Sequence, residues 1–113
     1  ARQQATDLKL KKAYGNSQVA LTKRNDALAY IKKQIAFQQE QLKQLQTDRI
    51  YFKRQQIEHL RKAESIPSSL KNTIDNNQKN IEAKKLMIQS LQKSYRTTQA
   101  EYDNIIARLK MLE

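Results

Sequence analysis

The sequence predicts an all-α protein: a long antiparallel two-helix coiled-coil hairpin with a short N-terminal helical appendage. Three observations predict it. The 113 residues include one glycine and one proline, the two residue types that break helices. Apolar residues recur at steps of three, four and seven, the heptad spacing of a coiled-coil seam. The lone proline, Pro67, falls where two such periodic stretches meet.

Composition sets the scale of the core. Hydrophobic residues make up 38% of the chain and aromatics 6%, too little for a thick globular interior and enough for a narrow seam between helices. Disorder is the competing reading of so polar a chain, and the regular apolar spacing argues against it. There is no cysteine, so no disulfide framework, thiolate metal site or cysteine nucleophile is available. No apolar run approaches the roughly 18 residues that span a bilayer. A start at Ala1 with no signal-like stretch suggests a processed product or a piece of something longer.

The elements follow in chain order. Residues 1–17 form a connector, in which Leu8, Leu10 and Tyr14 suit one short helix lying as a flap on the open end or leading from an upstream module. The stretch "YGNS" ends it: Gly15 can take the left-handed conformation that stops a helix, and Ser17 can cap the next one.

The first arm, 18–63, carries its stripe on Leu21, Leu28, Ile31, Ile35, Leu42, Leu45, Phe52 and Leu60. Arg24, Gln38, Arg49, Gln56 and His59 interrupt it, and Ile50 and Ile57 lie one place off. The tip spans 64–67. There the proline ring, which lacks an N–H, suits a first helical turn, Ser65 suits the N-cap, and Ile66 and Leu70 are spaced to pack together.

The second arm, 68–113, is more regular. Leu70, Ile74, Ile81, Ile88, Leu91, Tyr95, Tyr102, Ile105, Leu109 and Leu112 hold its seam, with Asn77, Lys84 and Thr98 as polar exceptions. A reversal near residue 65 pairs residues whose numbers total about 130 or 131, so Leu60 should meet Leu70, Ile57 meet Ile74, and Glu113 lie beside residue 18. Both arms then match at roughly 70 Å, given about 1.5 Å of rise per residue.

Three stretches carry a resemblance. "AYGNS" (Tyr14, Ser17), "RNDAL" (Arg24, Asp26, Leu28) and "IPSSL" (Pro67, Leu70) resemble the start, middle and tip of the C-terminal coiled-coil hairpin in some uncharacterised bacterial exported proteins. The resemblance implies a helical hairpin and export to the periplasm, with a cytoplasmic setting left open. It implies no activity and no catalytic residue.

Chemistry is sparse. His59 is the one histidine, and with no cysteine or second histidine it has no company for a metal site. No glycine-rich phosphate loop, G-x-S-x-G turn or H-E-x-x-H motif occurs. Glu101 and Asp103 are two apart, so on a helix they point to different sides. The expectation is a non-enzyme with no catalytic residue, cofactor, metal or small-molecule substrate.

Formal net charge is +11, spread along the chain rather than gathered in a tail. Lys32, Lys33, Lys53, Arg54 and Arg61 on the first arm, and Lys71, Lys79, Lys85 and Lys93 on the second, fall on flanking positions where they could hold a polyanion by phosphate contacts. Solvated coiled-coil flanks of this kind are common, and that is the favoured reading. Tyr30, Tyr51, Phe37, Ile50 and Met87 lie off the seam, where they either widen it or form a second contact face for a protein partner or another copy.

The leading functional expectation is a structural spacer or scaffold that presents its tip (Ser65, Ile66, Pro67 and Leu70) and its flanks to protein partners. The next is a module binding nucleic acid or an anionic membrane surface. A third, by analogy of shape, is a stalk of a secretion or rotary ATPase machine.

Overall fold

The computed structural model describes residues 2–113; Ala1, the first residue of the expected connector, lies outside them. Among the described residues there are three helices and no strand: α1 (Arg2–Tyr14), α2 (Ser17–Arg61) and α3 (Ser68–Leu112). The long helices α2 and α3 have 45 residues each and form the antiparallel hairpin. Two compact units are distinguished, the described part of Ala1–Gln34 with Leu91–Glu113 at the open end, and Ile35–Ser90 around the tip.

Local chemistry explains each helix end. Gly15 takes φ 79°, and its N–H donates to the Lys11 carbonyl at 2.8 Å, closing α1 with a left-handed cap. The N-cap of α2 is Asn16 rather than the expected Ser17. Asn16 Oδ1 accepts the Val19 N–H at 2.9 Å and its carbonyl accepts the Ala20 N–H, the two bonds a cap residue makes. Ser17 becomes the first helical residue, and its N–H donates to Glu113 Oε1 at 2.7 Å. This bond sets a carboxylate on the partially positive end of α2 and holds the Glu113 carboxyl below its usual range.

In the open-end unit, α1 folds back onto both long helices. Ala20, Ile106 and Leu109 are buried together, and Leu10, Tyr14, Leu21 and Ile105 pack against them. Tyr14 stands edge-on to Tyr102 with centroids 6.1 Å apart, and Lys23 Nζ lies 5.2 Å from the Tyr14 ring centre. Burial, then the neighbouring Tyr102, pushes the Tyr14 hydroxyl pKa up. Arg108 grips Asp7 from α3, and Arg24 Nε donates to Asp103 at 2.9 Å between α2 and α3. Leu8 stays exposed, so Leu10 and Tyr14 alone anchor the apolar side of α1.

The α3 seam follows its heptad throughout: every expected position from Leu70 to Leu112 is buried or half-buried. Its polar members in the tip unit have partners. Asn77, 6% exposed, donates from Nδ2 to the Leu45 carbonyl at 3.0 Å. Lys84 Nζ donates to Gln38 Oε1 at 2.7 Å and Gln41 Oε1 at 2.6 Å. Polar groups withdrawn from water are costly when unpaired, so these bonds resist sliding of the helices.

Three expectations for α2 are corrected. A reversal at 65 places Lys53 and Arg54 opposite Asn77, and Gln46 and Thr47 opposite Lys84; the partners lie further toward the α2 N-terminus, so in the tip unit the register is offset, whereas Glu113 bonds Ser17, next to the residue 18 expected beside it. Leu60 is 61% exposed and does not hold the seam as supposed, and Ile57, expected off the seam but opposite Ile74, is 54% exposed. His59, already expected at a seam position, is half-buried there three residues after half-buried Gln56, and one further residue rotates Leu60 about 100° away. Similarly, Asp48 is half-buried where the heptad expected Arg49, which is exposed.

Candidate functional site

The tip is closed by backbone bonds. The Glu64 N–H donates to the His59 carbonyl at 2.9 Å and the Ala63 N–H to the Leu60 carbonyl at 3.1 Å, the paired closure of a Schellman motif. Ala63 holds the left-handed position of that motif at φ 53°, which a residue with a Cβ adopts at a cost. The ends of such a motif usually meet through an apolar contact. Here His59 Nδ1 and Glu64 Oε2 meet instead, at 2.8 Å, and Arg61 lies 3.6 Å from Glu58 beside them.

Pro67 then starts α3 from the cap position, its carbonyl accepting the Leu70 and Lys71 N–H groups at 3.1 Å. That displaces the expected assignment, in which Ser65 capped the helix and Pro67 sat within its first turn. Ser65 is exposed two residues before the cap, and its side chain makes no hydrogen bond among the described residues. Pro67 is exposed while Ile66 and Leu70 are half-buried. Pro67 and Leu70 join Phe52, His59, Glu64 and Thr73 around a shallow hollow between the end of α2 and the start of α3. Among the described residues no three His, Cys, Asp or Glu side chains converge as a metal site requires.

The basic flank residues are all exposed. Lys32, Lys33 and Lys93 belong to the open-end unit; Lys53, Arg54, Arg61, Lys71, Lys79 and Lys85 belong to the tip unit. Among the described residues only Arg61 of these nine is within ion-pair range of an acid. The off-seam apolar residues Tyr30, Phe37, Ile50, Tyr51 and Met87 are exposed as well.

Within the tip unit, two shallow grooves use these side chains. Met87 joins Gln41, Gln44, Leu45, Ala83 and Lys84 in one that crosses from α2 to α3. The other lies on α2 alone, lined by Gln46, Arg49, Ile50, Lys53, Arg54 and Ile57. Reading the sequence by heptad missed this second groove because it assigned Arg49 to the seam. The signal was present in Ile50 and Ile57, seven apart and one place off the register, with cations between them.

No helix among the described residues is long and apolar enough to cross a membrane. No protein family matches the chain, and no curated protein or solved structure is significantly similar to it.

Proposed function

We propose that the chain is a non-enzymatic protein-interaction module, a coiled-coil spacer or scaffold that offers its tip and outer faces to partner proteins. One observation carries this reading. The expected α3 seam positions are all buried or half-buried, yet large apolar side chains stay outside the seam in both units: Tyr30 in one, and Phe37, Ile50, Tyr51 and Ile57 in the other. Side chains of this size on an exposed helical surface offer apolar and aromatic anchors that a partner could bury.

The test is site-specific photo-crosslinking in the source cell, with the probe at Ile66, Phe37 or Tyr30. Discrete adducts to protein at these positions, absent from a probe at exposed Lys12, support the reading. Adducts equal at all four positions, or none, remove it.

A second reading, binding to nucleic acid or an anionic membrane surface, draws support from the nine exposed basic flank residues and the +11 net charge. It requires DNA or anionic-vesicle binding that falls steeply with salt; no binding at low salt excludes it. Export to the periplasm is supported by the resemblance in "AYGNS", "RNDAL" and "IPSSL", and cell fractionation tests it.

A further inference from the structure

We propose that the outward groove of α2 around Ile50 is a docking site for an acidic amphipathic helix of another protein. This rests on the protein-interaction reading above and names the partner's chemistry. Spacing carries the first part of the argument. Gln46, Arg49, Ile50 and Lys53 stand at i, i+3, i+4 and i+7, and so do Ile50, Lys53, Arg54 and Ile57. Four residues at that spacing make the hole into which a facing helix inserts one side chain. The two holes share Ile50 and Lys53, so they accept two knobs about one turn apart on a partner helix. Ile50 and Ile57 give them apolar walls, at 55% and 54% exposure.

Charge selects the occupant. Arg49, Lys53 and Arg54 rim the groove, and none is ion-paired among the described residues. The acids nearest in sequence are engaged elsewhere: Asp48 accepts a hydrogen bond from Gln44 at 3.0 Å on the seam side, and Glu58 faces Arg61. A helix with apolar residues at heptad spacing and carboxylates beside them fits both walls and rim. A second copy of this face would bring cation against cation. Nucleic acid would use the rim and leave the isoleucines in water. A membrane surface favours a broad unbroken apolar face, whereas here cations alternate with the isoleucines.

The experiment uses the full chain, isotope-labelled, titrated with four probes and followed by amide chemical shifts. The probes are a synthetic helical peptide with leucine at a and d and glutamate at e and g, its lysine counterpart, a short DNA duplex, and phosphatidylglycerol–phosphatidylcholine vesicles. The glutamate peptide is expected to shift amides over 46–57. Ile57→Ser, and separately the pair Lys53→Glu with Arg54→Glu, should weaken it roughly tenfold or more, and the charge-reversed pair should gain the lysine peptide. These residues are exposed, so unchanged helical circular dichroism checks that the variants remain folded.

A glutamate peptide that does not bind, that maps elsewhere, or that ignores both variants overturns the proposal. So does a groove that responds only to duplex, only to vesicles, or only to a second copy. If the peptide fails while cross-links from Ile66, Phe37 or Tyr30 still reach proteins, the groove assignment falls and the interaction reading stands. If those cross-links fail too, both fall.

Discussion

Arg108 on α3 holds Asp7 on α1 in a two-pronged grip: Nε donates to Oδ1 and a terminal guanidinium nitrogen donates to Oδ2, both at 2.8 Å. The residues are 101 apart in sequence. Gln3 Nε2 adds a third bond to Asp7 Oδ1 at 2.9 Å. Parallel bonds of this kind fix orientation as well as distance, so α1 is held at one angle rather than merely nearby.

The grip makes the seating of α1 acid-sensitive. The Arg108 hydrogen bond first, then that of Gln3, hold the Asp7 carboxyl down at about 2. An unfolded aspartate titrates near 3.9, so the native state favours the ionised form. The resulting stabilisation is complete above about pH 5 and is lost progressively as pH falls through the unfolded value toward and through 2. Protection factors of the α1 amides, with the intrinsic pH dependence of exchange divided out, should fall over that window ahead of those of α2 and α3. In Asp7→Asn the α1 amides should already exchange fast at pH 6, with the window abolished. Protection of α1 that is unchanged in Asp7→Asn would show that the apolar contacts alone suffice.

Ala63 offers a test of the tip closure. Its left-handed φ of 53° costs an alanine on the order of 1 kcal/mol, and glycine adopts it without a Cβ clash. Ala63→Gly should therefore stabilise the hairpin by roughly 0.5–1 kcal/mol in urea denaturation followed by circular dichroism. A destabilised variant would mean that Ala63 does not hold this conformation in solution.

The corrected seam makes a paired prediction. Leu109 is 1% exposed within the apolar cluster of the open-end unit, whereas Leu60 is 61% exposed near the tip. Leu109→Ala should cost about 3 kcal/mol, and Leu60→Ala should stay within about 0.5 kcal/mol. Denaturation midpoints of the two variants decide it; equal losses would return Leu60 to the interior.

Asn77 should trade stability for order. Replacing it by leucine removes a polar group from the seam and gains apolar burial, so Asn77→Leu should raise stability by roughly 1–2 kcal/mol. It also removes the bond to the Leu45 carbonyl that pins the register. Sedimentation should then reveal new oligomers, as happens when a single seam asparagine is lost from a coiled coil. A more stable variant that stays in the same association state as the parent would assign the register to Lys84 with Gln38 and Gln41 instead.

Much of this fold was legible in the sequence, for identifiable reasons. The α3 seam was read correctly because its heptad positions keep one register, while Ile106, buried off that register against Ala20 and Leu109, was missed. The reversal was placed at the tip because the one proline stands between two long periodic stretches. Helix caps were harder: Asn16 and Ser17 can each accept the same amide bonds, and only the backbone path decides between them. His59 and Leu60 posed a similar ambiguity, since hydropathy favours the leucine while geometry seats the histidine. The Asp7–Arg108 pair was invisible, because no local pattern links two charges on elements so far apart in the chain. The α2 groove was half visible, in two isoleucines seven apart but one place off the seam register.

The turn at Gly15 and Asn16 has a consequence for anything that would share the seat of α1. So short a tether keeps the helix at an effective local concentration in the millimolar range or above, whatever the amount of protein in the tube. A free competitor must overcome that concentration before it touches Ala20, Ile106 or Leu109. Cutting the chain at the turn would make occupancy of the seat dilution-dependent, while every contact surface stayed chemically unchanged.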